Sequence, residues 1–134
     1  MRRLAALTLL TLLGALTLVG CGGGPSYVHV RDGVLKIDLD EYRLRPENIE
    51  VPAGRIHLQA TNSGRLTHNL AIESIDRETG EEPTLYGRTD TLHPGQHGTE
   101  RAPITLKPGK YRLVCTIGNH DDLGQYGELK VVAK

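Results

Sequence analysis

Between Val34 and Val132, apolar and polar residues trade places at every second position, in short runs separated by turn-forming residues. Successive side chains on a strand point to opposite faces, so this pattern gives each run one apolar and one polar side. Val34 to Asp40 sets Leu35, Ile37 and Leu39 against Lys36, Asp38 and Asp40. Arg55 to Thr61 sets Ile56, Leu58 and Ala60 against His57 and Gln59. His68, Leu70 and Ile72 share one parity, as do Tyr111, Leu113 and Cys115, and Glu128 to Val132 closes the series. No segment beyond residue 20 keeps apolar residues at helical spacing for three turns. Pro52-Ala53-Gly54 and Lys107-Pro108-Gly109 mark turns, and Asp32-Gly33 is a two-residue hairpin signal joining Tyr27–Arg31 to Val34–Asp40. Seven to eight short strands without a helix predict an all-β, antiparallel sandwich with Greek-key connections. Ser74 to Gln96 stands apart: it is long and polar, and it admits a short helical turn near Glu81 to Tyr86.

The first residues follow other rules. Arg2 and Arg3 precede an apolar run from Leu4 to Val19, which ends in Leu18-Val19-Gly20-Cys21. A basic start, a short apolar core and a small-residue cleavage site define an export signal. The ending resembles the lipobox of bacterial lipoproteins, which implies cleavage before Cys21 and a lipid on its sulfur. Residues 1–20 are then a lipoprotein signal peptide, and residues 21–26 a lipid-anchored, glycine-rich tether. Residues 27–134 form one domain of about 108 residues, enough for a single core. Setting Arg2 and Arg3 aside leaves 14 basic against 16 acidic residues in the 134-residue chain. That balance supplies no basic footprint for nucleic acid.

With Cys21 lipidated, Cys115 is the one thiol left, and it has no disulfide partner in an exported protein. It could be a buried structural thiol, a catalytic nucleophile or a metal ligand. Strand parity turns both His68 and Cys115 toward the interior from strand ends. After Cys115 the chain runs Thr116-Ile117-Gly118-Asn119-His120, then Asp121-Asp122-Leu123-Gly124-Gln125. One thiolate and two imidazoles with a weak axial donor make the electron-transfer copper geometry. Zinc is the rival metal, since one cysteine and two histidines also suit a tetrahedral site. A zinc enzyme needs a nearby general base, and no carboxylate is indicated for that role.

The segments Asn62-Ser63-Gly64 before His68-Asn69, Leu106 to Cys115, and Gly118-Asn119-His120 before Gly124-Gln125-Tyr126-Gly127 together resemble the cupredoxins, the blue-copper family. The likeness spans about Val34 to Val132. It implies a cupredoxin-like Greek-key sandwich holding one Cu(I)/Cu(II) ion on His68, Cys115 and His120. It also implies that Asn69 hydrogen-bonds to the backbone beside Cys115. Where most of the family has an axial methionine, this chain has Gln125, five residues after His120, which resembles the stellacyanin type. An amide oxygen is a harder donor than a thioether and favours Cu(II), so a lower reduction potential follows.

The implied function is a one-electron carrier, not an enzyme. It would work as a monomer with redox partner proteins at the cell envelope, held to the bacterial membrane through Cys21 on its periplasmic or extracellular face. A copper storage or delivery protein serving an envelope oxidase is the alternative. His29 and His57 stand alone, and Pro94-Gly95 between His93 and His97 makes a turn, so those histidines read as solvated. Asp121 and Asp122, beside His120, could tune the metal or orient a partner.

Overall fold

The computed structural model describes residues 23–75 and 82–134. The signal sequence, the lipidation position Cys21 and the start of the Glu81–Tyr86 segment lie outside the described residues. Eleven strands occur among those described: β1 (Val28–His29), β2 (Val34–Asp40), β3 (Arg43–Arg45), β4 (Asn48–Pro52), β5 (Gly54–Asn62), β6 (Ala71–Ser74), β7 (Leu85–Arg88), β8 (His97–Thr99), β9 (Ile104–Leu106), β10 (Gly109–Val114) and β11 (Tyr126–Val132). They form two sheets, one in the order β1-β4-β11-β10-β6-β7 and the other β3-β2-β5-β8, with β9 also paired to β5. The count exceeds seven to eight by β3, β7 and β8, which are only three or four residues long. Segments that brief carry too little alternation to stand out in the sequence.

The inward parity is as the sequence dictates. Leu35, Ile37, Leu39, Ile56, Leu58 and Ala60 from one sheet meet Ile49, Val51, Ile72, Leu113, Leu129 and Val131 from the other, all buried. Each fully buried aliphatic side chain stabilises the sandwich by about 1.5–3 kcal/mol relative to exposure. That burial holds together two sheets that no disulfide crosslinks.

Three expectations need correction. Asp32-Gly33 does not close a hairpin: β1 pairs with β4 in parallel, while β2 belongs to the opposite sheet. The dipeptide instead carries the chain across the sandwich, with Gly33 at φ 75° and its Cα facing the Arg55 carbonyl so closely that a Cβ would lie 2.6 Å from that oxygen. Only glycine satisfies both demands. The sandwich is also mixed and not purely antiparallel, because β2–β5, β4–β11 and β1–β4 run parallel. Crossing between sheets returns the chain to its first sheet in the starting direction, which alternation alone does not reveal. Finally, Leu85 and Tyr86 are strand, not helical turn: β7 pairs antiparallel with β6 and extends its sheet.

The topology gathers one pole. The β2–β3 turn, the segment between β5 and β6, and the loop between β10 and β11 all meet there.

Candidate metal centre

Two segments carry the chemistry, and each is fixed by buried polar contacts. At the end of β5, the buried Asn62 donates its amide to the carbonyls of Leu66 and Leu92, both at 2.8 Å, and its Oδ1 accepts from Gly64 N. His68 then exchanges two backbone hydrogen bonds with Leu92 (3.0 and 2.7 Å), which locks its Cα before β6 begins. At the end of β10, Cys115 N donates to Gln125 O at 3.1 Å, and Gln125 N donates to His120 O at 3.0 Å. The loop is thereby closed on itself, with Gly124 at φ 112° making the reversal. Asn69 links the two segments: Thr116 N donates to its Oδ1 at 2.8 Å. This is the cross-link to the backbone beside Cys115 that the family likeness implies.

The donor atoms of His68, Cys115 and His120 all lie within 4.8 Å of one another. Both histidines present Nδ1, at 3.9 Å (His68) and 3.6 Å (His120) from Cys115 Sγ. Bonds of about 2.0 Å to nitrogen and about 2.3 Å to sulfur at trigonal angles separate such donors by about 3.7 Å. The observed spacing therefore accommodates one metal ion between them. His68 and Cys115 are fully buried and His120 is half-buried, so the centre meets the surface through His120 alone.

Gln125 is fully buried. Its Nε2 donates to Asp40 O at 2.7 Å and approaches Arg43 O at 3.4 Å. Its Oε1 has no hydrogen-bond partner, and neither has His68 Nε2. A buried amide oxygen without a partner costs about 1–3 kcal/mol, and an ion is the natural recipient of such a lone pair. A thiolate, two imidazoles and a neutral oxygen constitute a donor set for one copper ion. Zinc catalysis fits less well. Of the carboxylates at this pole, Glu41 lies behind His68, on its Nε2 side at 3.9 Å, and Asp121 is paired with Arg112 at 3.3 Å.

The local electrostatics have clear causes. Burial pushes the Cys115 thiol up, while backbone amides of Asn69 and Ile117 directed at the sulfur pull the other way. Burial holds the His68 imidazole below its ordinary range, helped by the nearby His120 and opposed by Glu41 and Gln125. Metal binding must displace the thiol proton, and it finds His68 already neutral.

The remaining histidines do not converge on a site. His93 and His97 each contact a threonine hydroxyl, Thr67 and Thr61 respectively. His57 pairs with Glu100 at 2.8 Å and His29 with Glu50 at 3.1 Å. Sequence reasoning missed Glu41 and Tyr42, and noticed Asn62 only as part of a family segment. Tyr42 sets its ring edge-on to His120, with centroids 5.5 Å apart. The two turn residues carry no signal because a turn has no parity, whereas Asn62 at an inward position of β5 could have been noticed as a polar residue among apolar ones.

No family model and no curated protein matches the sequence. Solved structures do match in fold. A dithionite-reduced auracyanin from the photosynthetic bacterium Roseiflexus castenholzii is 21% identical with a TM-score of 0.66, covering 77% of this chain and 99% of its own. Auracyanin A, a blue copper protein from the green thermophilic photosynthetic bacterium Chloroflexus aurantiacus, is 14% identical with a TM-score of 0.61, covering 75% of this chain and all of its own. Reduced rusticyanin is 16% identical with a TM-score of 0.58, covering 79% and 84%. The fold is therefore the cupredoxin-like β-sandwich.

Proposed function

We propose that this chain is a mononuclear type 1 copper protein that carries single electrons at the bacterial cell envelope. The observation that carries the proposal is the convergence of Cys115 Sγ and the Nδ1 atoms of His68 and His120 within 4.8 Å. The unpartnered Gln125 Oε1 at the same pole supports it. Auracyanin A, a blue copper protein of similar fold, supports the same choice of metal.

Copper bound there would supply reversible one-electron chemistry between Cu(II) and Cu(I). The protein's part is to keep four donors still. Cys115 gives a thiolate, His68 and His120 give imidazoles, and Gln125 gives a neutral oxygen as the axial, stellacyanin-like donor. His68 and Cys115 sit at the ends of strand segments from one packed core, joined by Asn69, so neither can move far when the charge changes. Such rigid support is what a site needs when it must serve two oxidation states. His120, half-buried with its ring against the edge of Tyr42, is the donor nearest solvent and the natural electron port.

The basic start, apolar run and Leu-Val-Gly-Cys ending support export and a lipid at Cys21, which would hold the domain on the periplasmic or extracellular side of a membrane.

The test is cyclic voltammetry of copper-loaded protein combined with metal analysis after many cycles. A carrier gives a reversible one-electron wave with one copper per chain retained throughout. Irreversible loss of copper on reduction would overturn the carrier assignment and favour copper delivery.

A further inference from the structure

The four-donor site leaves one part of the metal pole without a role, the turn Glu41–Tyr42 between β2 and β3. That turn touches three of the four donor residues from outside. Tyr42 is edge-on to His120, and the carbonyls of Asp40 and Arg43 flanking the turn hold Gln125 Nε2. Glu41 Oε1 lies 3.9 Å from His68 Nε2. Tyr42 has φ 58°, the one non-glycine residue with positive φ among those described, so the turn keeps a conformation that costs about 1–3 kcal/mol.

We propose that Glu41 is a positioning residue of the metal centre: its carboxylate takes the Nε2–H of His68, which leaves Nδ1 unprotonated toward Cys115 and places a negative charge behind the imidazole. The redox consequence rests on the copper function proposed above, whereas the tautomer does not.

Several observations lead here. His68 Nε2 is buried and lacks a hydrogen bond, and a neutral imidazole presenting its Nδ1 lone pair must carry its proton on Nε2. An orphaned buried donor costs about 1–3 kcal/mol, so Nε2–H needs an acceptor. Glu41 is the acid in place. Its carboxylate is already oriented, because Oε1 accepts from the backbone amides of Arg65 and of Leu66, the latter at 3.0 Å. Those bonds hold the Glu41 carboxyl below the usual carboxylate range, so it is ionised at neutral pH. Closing 3.9 Å to hydrogen-bond length takes a shift of about 1 Å. The chain also keeps the space clear: a Cβ on Gly64 would lie 2.5 Å from Glu41 Oε1 and 3.3 Å from His68 Nε2. Glycine at 64 thus lets carboxylate and imidazole face each other. Outer-shell carboxylates on metal-binding histidines fix the tautomer and raise ligand basicity.

The test uses the full chain and the variants Glu41→Gln, Glu41→Ala and Gly64→Ala. In metal-free protein, nitrogen NMR of the His68 ring should show the Nε2–H tautomer in the wild type and in Glu41→Gln, whose amide oxygen still accepts. Glu41→Ala and Gly64→Ala should shift His68 toward the Nδ1–H tautomer. In copper-loaded protein, Glu41→Gln should keep the thiolate–copper absorption but lower the ratio of Cu(II) to Cu(I) affinity about tenfold. For a one-electron couple that is a rise of about 59 mV. An Nδ1–H tautomer in the wild type, or no tautomer change in Glu41→Ala, overturns the positioning role. A blue wild type whose potential is unmoved in Glu41→Gln overturns the electrostatic role. A wild type that never develops the absorption counts against the copper function, and the tautomer measurement then decides Glu41's role alone.

Discussion

Asn69 and Thr116 are joined by two short hydrogen bonds and one longer one across the metal pole: Thr116 N donates to Asn69 Oδ1 at 2.8 Å, Asn69 Nδ2 donates to Thr116 Oγ1 at 2.8 Å, and Thr116 Oγ1 approaches Asn69 Oδ1 at 3.3 Å. Each is next in sequence to a donor residue, His68 and Cys115. The pair therefore fixes the distance between a histidine and a cysteine that are 47 positions apart. Asn69→Ala leaves the Thr116 amide without its partner and should lower stability by about 1–3 kcal/mol in chemical denaturation of the metal-free protein. The same variant should bind copper more weakly while keeping a recognisable thiolate–copper band, since no donor is removed.

Gln125→Met replaces an amide oxygen by a thioether, a softer donor that favours Cu(I). The reduction potential should rise by at least the about 59 mV that a tenfold change in relative affinity represents. An unchanged or lower value in redox titration would take Gln125 out of the axial role. Because methionine cannot donate to the Asp40 and Arg43 carbonyls, the metal-free variant should also be less stable, by about 1 kcal/mol.

The metal-free protein should be most stable, as far as these two groups decide, between about pH 6.5 and 9. Burial lowers the pKa of His68 in the folded state, so between the ordinary value of 6.5 and the folded value the unfolded chain binds more protons. Stability is then lost as pH falls below about 6.5. Burial raises the pKa of Cys115, so the folded chain keeps its proton above the ordinary value of 9.0 while the unfolded chain releases it, and stability is lost as pH rises further. Denaturation midpoints across this range check both limbs. In His68→Phe the loss just below pH 6.5 should shrink.

Leu113 is fully buried on β10, two residues before Cys115. Leu113→Ala should cost roughly 2–5 kcal/mol and broaden the spectroscopic signature of any bound copper, because the strand that carries the thiol loses its packing. A change of stability below about 1 kcal/mol would mean that β10 is not held by the core described here.

The sandwich and the inward placement of His68 and Cys115 were legible in the sequence for one physical reason: buried strand faces impose parity, whereas His120 and Gln125 lie on a loop and came only from spacing and family resemblance. Leu35, Ile37 and Leu39 declare a face, and His68 and Cys115 declare theirs by sharing it with Leu70 and Leu113. Parity says nothing about partners, so the parallel pairing of β2 with β5 and the crossing at Asp32-Gly33 were invisible. Gly33 sits in a dipeptide that suits a hairpin turn and a sheet-to-sheet crossing equally well. Glu41 and Tyr42 were hidden for a related reason, because what they touch depends on where a turn lands in space. Gly64 was noticed only as part of a family segment, and its steric purpose needs the carboxylate opposite it.

The most direct test of the copper centre is the visible spectrum of residues 22–134 after addition of one equivalent of Cu(II). An intense thiolate-to-copper absorption that is absent from Cys115→Ser is the predicted result. No such band in the wild type, or a band that survives in Cys115→Ser, would contradict it.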